Sequence, residues 1–382
     1  MRVFRSLHGN IGLFASFFLV AFLGVDFFVI ASYFLAAPLG LSLFFGTSDG
    51  VAYAARYSIL YVLIFMVPLQ IPAAVNIGGL FVALMTIYTS CLVASCFLEP
   101  TLTRTVREMV LISPLRIFRN WILAMPLASS MLLLAIVVLQ SFQEAHGVPT
   151  GGLIFTNPFE TLAELAYSPL LEEIGFRITP IGALLSLEVI IISRIGRHAA
   201  YRINLPKALI LSFLVPERAR RIAGLKTVED HGILRGIGLP GWIAVLATSS
   251  AFGFAHYLSG SGWEVGKISS AFVAGLGLSL VYWRYGAHAA TLLHWFFNYY
   301  SYVFQQASDT YAIAFSSLLY VLDGVTFWLG ILGWLALLGL LLLKIRGKTR
   351  ESLRPSSNLF EQSTRIHLSN LTVQNSSDNS MG

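Results

Sequence analysis

The sequence predicts an all-α fold, a polytopic transmembrane helix bundle of about 8–9 spans, and three observations predict it. Of 382 residues, 56% are hydrophobic and 12% are charged, about half the charged share of an ordinary soluble domain. The mean hydropathy is +0.73. Nine apolar stretches approach or exceed the roughly 20 residues that cross a hydrocarbon core as a helix. Lipid offers the backbone no hydrogen-bonding partner, so each stretch is expected to be helical. This composition excludes a water-soluble enzyme, a disordered chain and a nucleic-acid-binding module.

The stretches fall near 11–36, 51–71, 77–98, 120–141, 168–193, 239–258, 268–284, 286–303 and 312–343. Arg2 and Arg5 ahead of the first imitate a secretory signal. The apolar run continues past Ala36 without a clear cleavage site, so it reads as a retained span. Cys91 and Cys96 are the only cysteines, five apart in an apolar run. That spacing suits neither a zinc ribbon nor a redox pair, and they read as small buried hydrophobes.

The segment 194–238 is the one sizeable polar insertion, with nine basic residues against three acids. The positive-inside rule places it in the cytoplasm. The Arg104/Arg107/Arg116/Arg119 loop and the Lys344/Arg346/Lys348 segment alternate onto the same side, while the loops near 142–160, 257–267 and 304–311 contribute only Lys267. The net charge of +6 therefore reports loop orientation. Residues 1–150 read as an N-terminal transmembrane region of about four spans, 160–303 as the functional core, 304–345 as a C-terminal span and 346–382 as a disordered polar tail. A multi-pass protein of the cell membrane is the expected setting.

Ionisable residues within spans are costly and mark function or pairing. Asp26, Glu188 and Asp323 read as snorkelling or helix-pairing groups, and His288 as an interfacial histidine. In Tyr167-Ser-Pro-Leu-Leu-Glu-Glu-Ile-Gly-Phe-Arg177, Ser168 and Pro169 read as a helix start. Glu173 and Arg177, four apart, share a helical face and can pair. Glu172 lies roughly 100° around the helix and has no local partner, which suits a general base. Phe252 sits one turn beneath His256 at the end of the sixth span. His294 and Asn298, again four apart, share a face of the eighth. Alternating spans bring these groups toward one side of the membrane.

The ordered set Glu172-Glu173-x-x-x-Arg177, Phe252-x-x-x-His256 and His294-x-x-x-Asn298, with Gly275 to Gly286 between the last two, resembles the CPBP family of intramembrane proteases. That family includes the type II CAAX prenyl proteases and bacterial Abi-type proteins. The resemblance covers roughly 160–303, and the basic insertion is longer than expected for the family. It implies a glutamic-type intramembrane endopeptidase in which Glu172 and His256 activate water and His294 and Asn298 stabilise the oxyanion. Glu173, Arg177 and Phe252 would support these groups.

The implied partner is a membrane-associated protein or peptide, in the CAAX case a prenylated chain that loses its last three residues. No cofactor is expected. A zinc site built from Glu172 and the two histidines is the alternative mechanism, and a non-enzymatic scaffold or bacteriocin-immunity-type protein is the alternative class. The loop charges put the site opposite the cytoplasmic insertion, whereas CAAX processing faces the cytoplasm.

Overall fold

A computed structural model of the chain describes residues 2–152, 157–195, 204–311 and 313–352. It divides into two compact units, Met1–Ile331 and Leu332–Gly382. The tail expected to be disordered lies outside the described residues from 353 onward, as do residues 196–203 of the basic insertion.

Among the described residues the fold is helical, with one small sheet. Helix α1 spans Arg2–Gly46 and α2 Ser48–Ala54; β1 (Tyr57–Ile64) and β2 (Val67–Asn76) follow; then come α3 (Ile77–Phe97), α4 (Leu102–Leu111) and α5 (Trp121–Ala145). Among the described residues, five helical segments are long and apolar enough to cross a membrane: Phe17–Gly46, Ile77–Phe97, Trp121–Ala145, Pro158–Arg194 and Phe315–Ile345. These five make the chain an integral membrane protein.

The stretch 51–71 is not a helical span. It forms most of an antiparallel hairpin whose turn residues Phe65 and Met66 have φ of +47° and +69°, the pattern of a type I′ turn. Pro68 and Pro72 explain the outcome, because proline removes a helical donor and clashes with the preceding turn. The outward edge of β1 is closed by helix side chains. Tyr61 donates its N–H to Tyr167 Oη at 3.2 Å and accepts from the same hydroxyl, and Phe65 N–H reaches Thr179 Oγ1 at 3.2 Å.

The expected start at Ser168 is also displaced. Helix α6 runs Pro158–Glu173, and Asn157 caps it by accepting from the N–H of Phe159 at 2.8 Å and Glu160 at 3.3 Å. Asn157-Pro158 carries the same start signal as Ser168-Pro169 and comes first, so Pro169 is accommodated inside the helix. Glu172 consequently lies about 21 Å along the helix at 1.5 Å per residue. A π-turn at Ile174–Ile178 joins α6 to α7 (Thr179–Ile195).

The described part of the basic insertion is folded, as α8 (Leu205–Leu214), α9 (Pro216–Ile222), α10 (Val228–His231) and α11 (Ile233–Gly236). Glu217 accepts from the backbone N–H of Val228 at 3.0 Å and Glu229 at 2.7 Å. Arg119 bridges Glu108 (2.6 Å) and Glu229 (3.1 Å), Arg221 pairs with Glu229 (3.0 Å), and Arg220 reaches Glu188 on α7 at 2.7 Å. Glu188 is thus a helix-pairing residue. Asp26 is wholly buried instead of snorkelling, with neither carboxylate oxygen hydrogen-bonded.

This ion network predicts an acid response. Burial would raise the Glu229 carboxyl, but Arg221, Arg284 and Arg119 hold it below the usual range, and hydrogen bonds from Arg119 and Arg104 lower Glu108. A carboxyl lowered in the folded state contributes its stabilisation fully above the unfolded value of about 4.3 and loses it as pH falls further. Hydrogen-exchange protection factors across 216–236 should hold from pH 7 to 5 and collapse below about pH 4. Unchanged protection at pH 3 would contradict the network's role.

The remaining elements are α12 (Leu239–Leu258), α13 (Gly266–Tyr285), α14 (Ala287–Trp295), a π-turn at Phe296–Tyr300, α15 (Ser301–Tyr311) and α16 (Ile313–Ser352). Helices α12, α13 and the run 287–311 are not among the five apolar spans. They carry interior polar groups, with Ser249, Ser270, Ser279 and His294 all buried.

Candidate active site

Three segments bring the sequence-predicted residues together: the end of α6 with its π-turn, the end of α12, and α14 with its π-turn. Arg177 and Asn298 each lie within a π-turn, a local insertion frequent at functional sites. Glu173 and Arg177 are both fully buried and paired, Nη1 to Oε1 at 2.9 Å. The Arg177 guanidinium also lies 4.0 Å from the Phe252 ring centroid, so it is held by an anion on one side and a π-face on another.

His294, only 3% exposed, connects the two glutamates. Its Nδ1 is 2.8 Å from Glu173 Oε1, the oxygen that also receives Arg177. A carboxylate only accepts, so Nδ1 carries a proton and the ring orientation is fixed. Nε2 then faces Glu172 Oε2 at 3.5 Å, an oxygen without a hydrogen bond. Glu172 therefore has a partner that its position on α6 did not reveal, and Glu173 does more than brace a helix: it orients the histidine. The Glu172 side chain retains 21% exposure, against zero for Glu173.

His256 is held from the opposite side. Its Nδ1 is 2.9 Å from the Phe252 carbonyl, so that nitrogen donates and Nε2 is left as an acceptor. Phe252 packs edge-on against both histidines, with ring centroids 4.5 Å from His256 and 5.6 Å from His294. Asn298 gives one N–H to Ser168 Oγ at 3.0 Å and has a second to offer. His256, His294 and Asn298 line one cavity of ≈ 150 Å³, with Gln140, Ser270 and Lys267 among the other walls.

Ser168, read from the sequence as a helix cap, is the group that orients Asn298. Lys267 and Gln140 were missed as site residues. Lys267 registers in the sequence only as a topological charge, because a lysine near a helix end ordinarily snorkels to the interface. Asp26, Glu188, Asp323 and His288 do not line the cavity.

Among the described residues no three His, Cys, Asp or Glu side chains group together as a metal site, and His294 Nδ1 faces Glu173.

The helical spans and this carboxylate–imidazole centre together define the class, an integral membrane protein with a polar site enclosed by its helices. Residues 154–300 match the family model described as Rce1-like, type II CAAX prenyl endopeptidase Rce1-like. Over this region, residues 154–300, the match supports assignment to the CPBP/CAAX protease family. No curated protein and no solved structure matches it.

Proposed function

We propose that the protein is a metal-free, glutamate-dependent intramembrane endopeptidase of the cell membrane, acting on a membrane-anchored protein of the prenylated CAAX type. The observation that carries this reading is the paired-glutamate arrangement, with Glu173 hydrogen-bonded to Arg177 and His294 while Glu172 Oε2 makes no hydrogen bond and lies 3.5 Å from His294 Nε2. A scaffold needs the first of these glutamates and has no use for the second.

In the reaction, Glu172 takes a proton from a water that His256 Nε2 orients, and the water oxygen attacks the scissile carbonyl carbon. The oxyanion is met by the free N–H of Asn298 and by the His294 ring, whose orientation Glu173 fixes through Nδ1. Glu172 then returns the proton to the amide nitrogen as the C–N bond breaks. Donors fixed in advance within a water-poor site are what developing charge requires. Helices α12, α13 and 287–311 join the five apolar helices as spans, eight in all, since the hairpin replaces one of the nine apolar stretches. Shielding by the other helices lets them carry polar residues.

Reconstitution into vesicles with a prenylated peptide tests the proposal. Cleavage should persist in strong chelator at substoichiometric zinc, and Asn298→Ala should lower kcat about 100-fold with little change in KM. Loss of activity in chelator, restored by zinc, would sink the metal-free mechanism.

A further inference from the structure

We infer that Lys267 receives the C-terminal carboxylate of the substrate and restricts cleavage to bonds near a chain end. The inference rests on the peptidase reading and names the feature of the substrate that the cavity selects.

The cavity of ≈ 150 Å³ has room for about five waters at roughly 30 Å³ each. Its catalytic wall carries His256, His294 and Asn298, and among the described residues Lys267 is the only lysine or arginine lining it. Much of the rest is apolar, with Leu133, Ile136, Ala271 and Leu278 suited to aliphatic side chains. A carboxylate entering such a space must be paired, because an unpaired charge there is costly.

Lys267 is available for that pairing. Its Nζ rests 3.6 Å from the Trp263 ring centroid, and among the described residues no carboxylate lies at ion-pair distance from it. Lys267 lines the same cavity as His256, His294 and Asn298, which puts the ammonium beside the same centre. An internal peptide segment would leave the ammonium facing neutral amides, whereas a chain end supplies the matching anion.

The mounting is rigid, as a selectivity residue requires. Gly151 and Trp263 form an isolated β-bridge, Glu264 N–H donates to Thr150 O at 3.2 Å, and Gly266 N–H to Pro149 O at 2.8 Å. Gly151 has φ of +67°, and a Cβ there would fall 2.2 Å from Gly262 O, so only glycine permits this approach. From α5, Gln140 bonds Ser270 Oγ at 3.2 Å and Gln143 bonds Ser269 Oγ at 2.8 Å, pinning the first turn of α13.

Two prenylated peptides, identical except for a C-terminal acid or amide, test the assignment in proteoliposomes. The wild type should cleave the acid at least 10-fold faster in kcat/KM. Lys267→Gln should bring the acid down toward the wild-type amide rate, so that the acid-to-amide ratio approaches 1, and Lys267→Arg should restore most of the ratio. Three results would overturn the inference: equal cleavage of both peptides by the wild type, an unchanged ratio in Lys267→Gln, or equal slowing of both, which would mark Lys267 as structural. Wild-type cleavage of neither peptide would remove the peptidase reading, and this inference with it.

Discussion

Glu172→Gln should lower kcat by about 1000-fold or more while leaving the protein folded. Glutamine keeps the shape and volume of the side chain but cannot accept the proton of an attacking water, and general-base catalysis typically contributes 10²–10⁴-fold. Stability should be unaffected because Glu172 is partly exposed and its Oε2 lies 3.5 Å from His294 with no hydrogen bond to lose. Turnover of a membrane-anchored peptide and thermal unfolding in detergent check the two halves. A variant that cleaves at the parent rate removes Glu172 as the base, and a variant that also unfolds would reassign it to the frame.

The adjacent glutamate should behave in the opposite manner. Glu173→Leu strands a fully buried arginine, since Arg177 is 0% exposed with Glu173 as its one ion-pair partner among the described residues. Removing one member of a buried pair costs about 3–5 kcal/mol, a large share of the margin of an ordinary fold. It also frees His294 Nδ1, so activity falls as well. The double variant Glu173→Leu/Arg177→Met separates the effects, because replacing both charges by apolar groups is often neutral for stability. It should regain most of the lost unfolding temperature without regaining cleavage, since His294 Nδ1 has lost the carboxylate that orients it. Recovery of activity with stability would mean that Glu173 only braces the helix.

The contrast between the two glutamates was half legible in the sequence. A spacing of four ties Glu173 to Arg177, and the 100° offset turns Glu172 elsewhere, both consequences of helical geometry. What Glu172 meets was not legible, because His294 lies 122 positions away and only tertiary packing brings the rings between the carboxylates. The two π-turns were equally hidden, since no residue type signals the extra residue that places Arg177 and Asn298.

The hairpin shows a different limit. Its strands are as apolar as a membrane span, and hydropathy averaged over twenty residues cannot tell them apart. The informative residues were Pro68 and Pro72, which argue against a helix. The turn sent no warning, because Phe65 and Met66 adopt positive φ where Asn-Gly is usual. The position of Glu172 was misjudged for a related reason. Two Asn/Ser-Pro start signals stand eleven residues apart, and the structure uses the first, which carries Glu172 from the start of a helix to the end of α6. The basic insertion was rightly read as polar, but its charges are largely spent on one another through Arg119, Glu229, Arg221, Arg220 and Glu188.

The most direct test of the central claim is mass spectrometry of a prenylated, acid-terminated peptide incubated in ¹⁸O-water with the purified protein in vesicles. Hydrolysis by a glutamate-activated water predicts one new chain end carrying a single ¹⁸O atom, formed by the parent and absent with Glu172→Gln. An intact peptide with the folded parent, or equal product from both proteins, would contradict it.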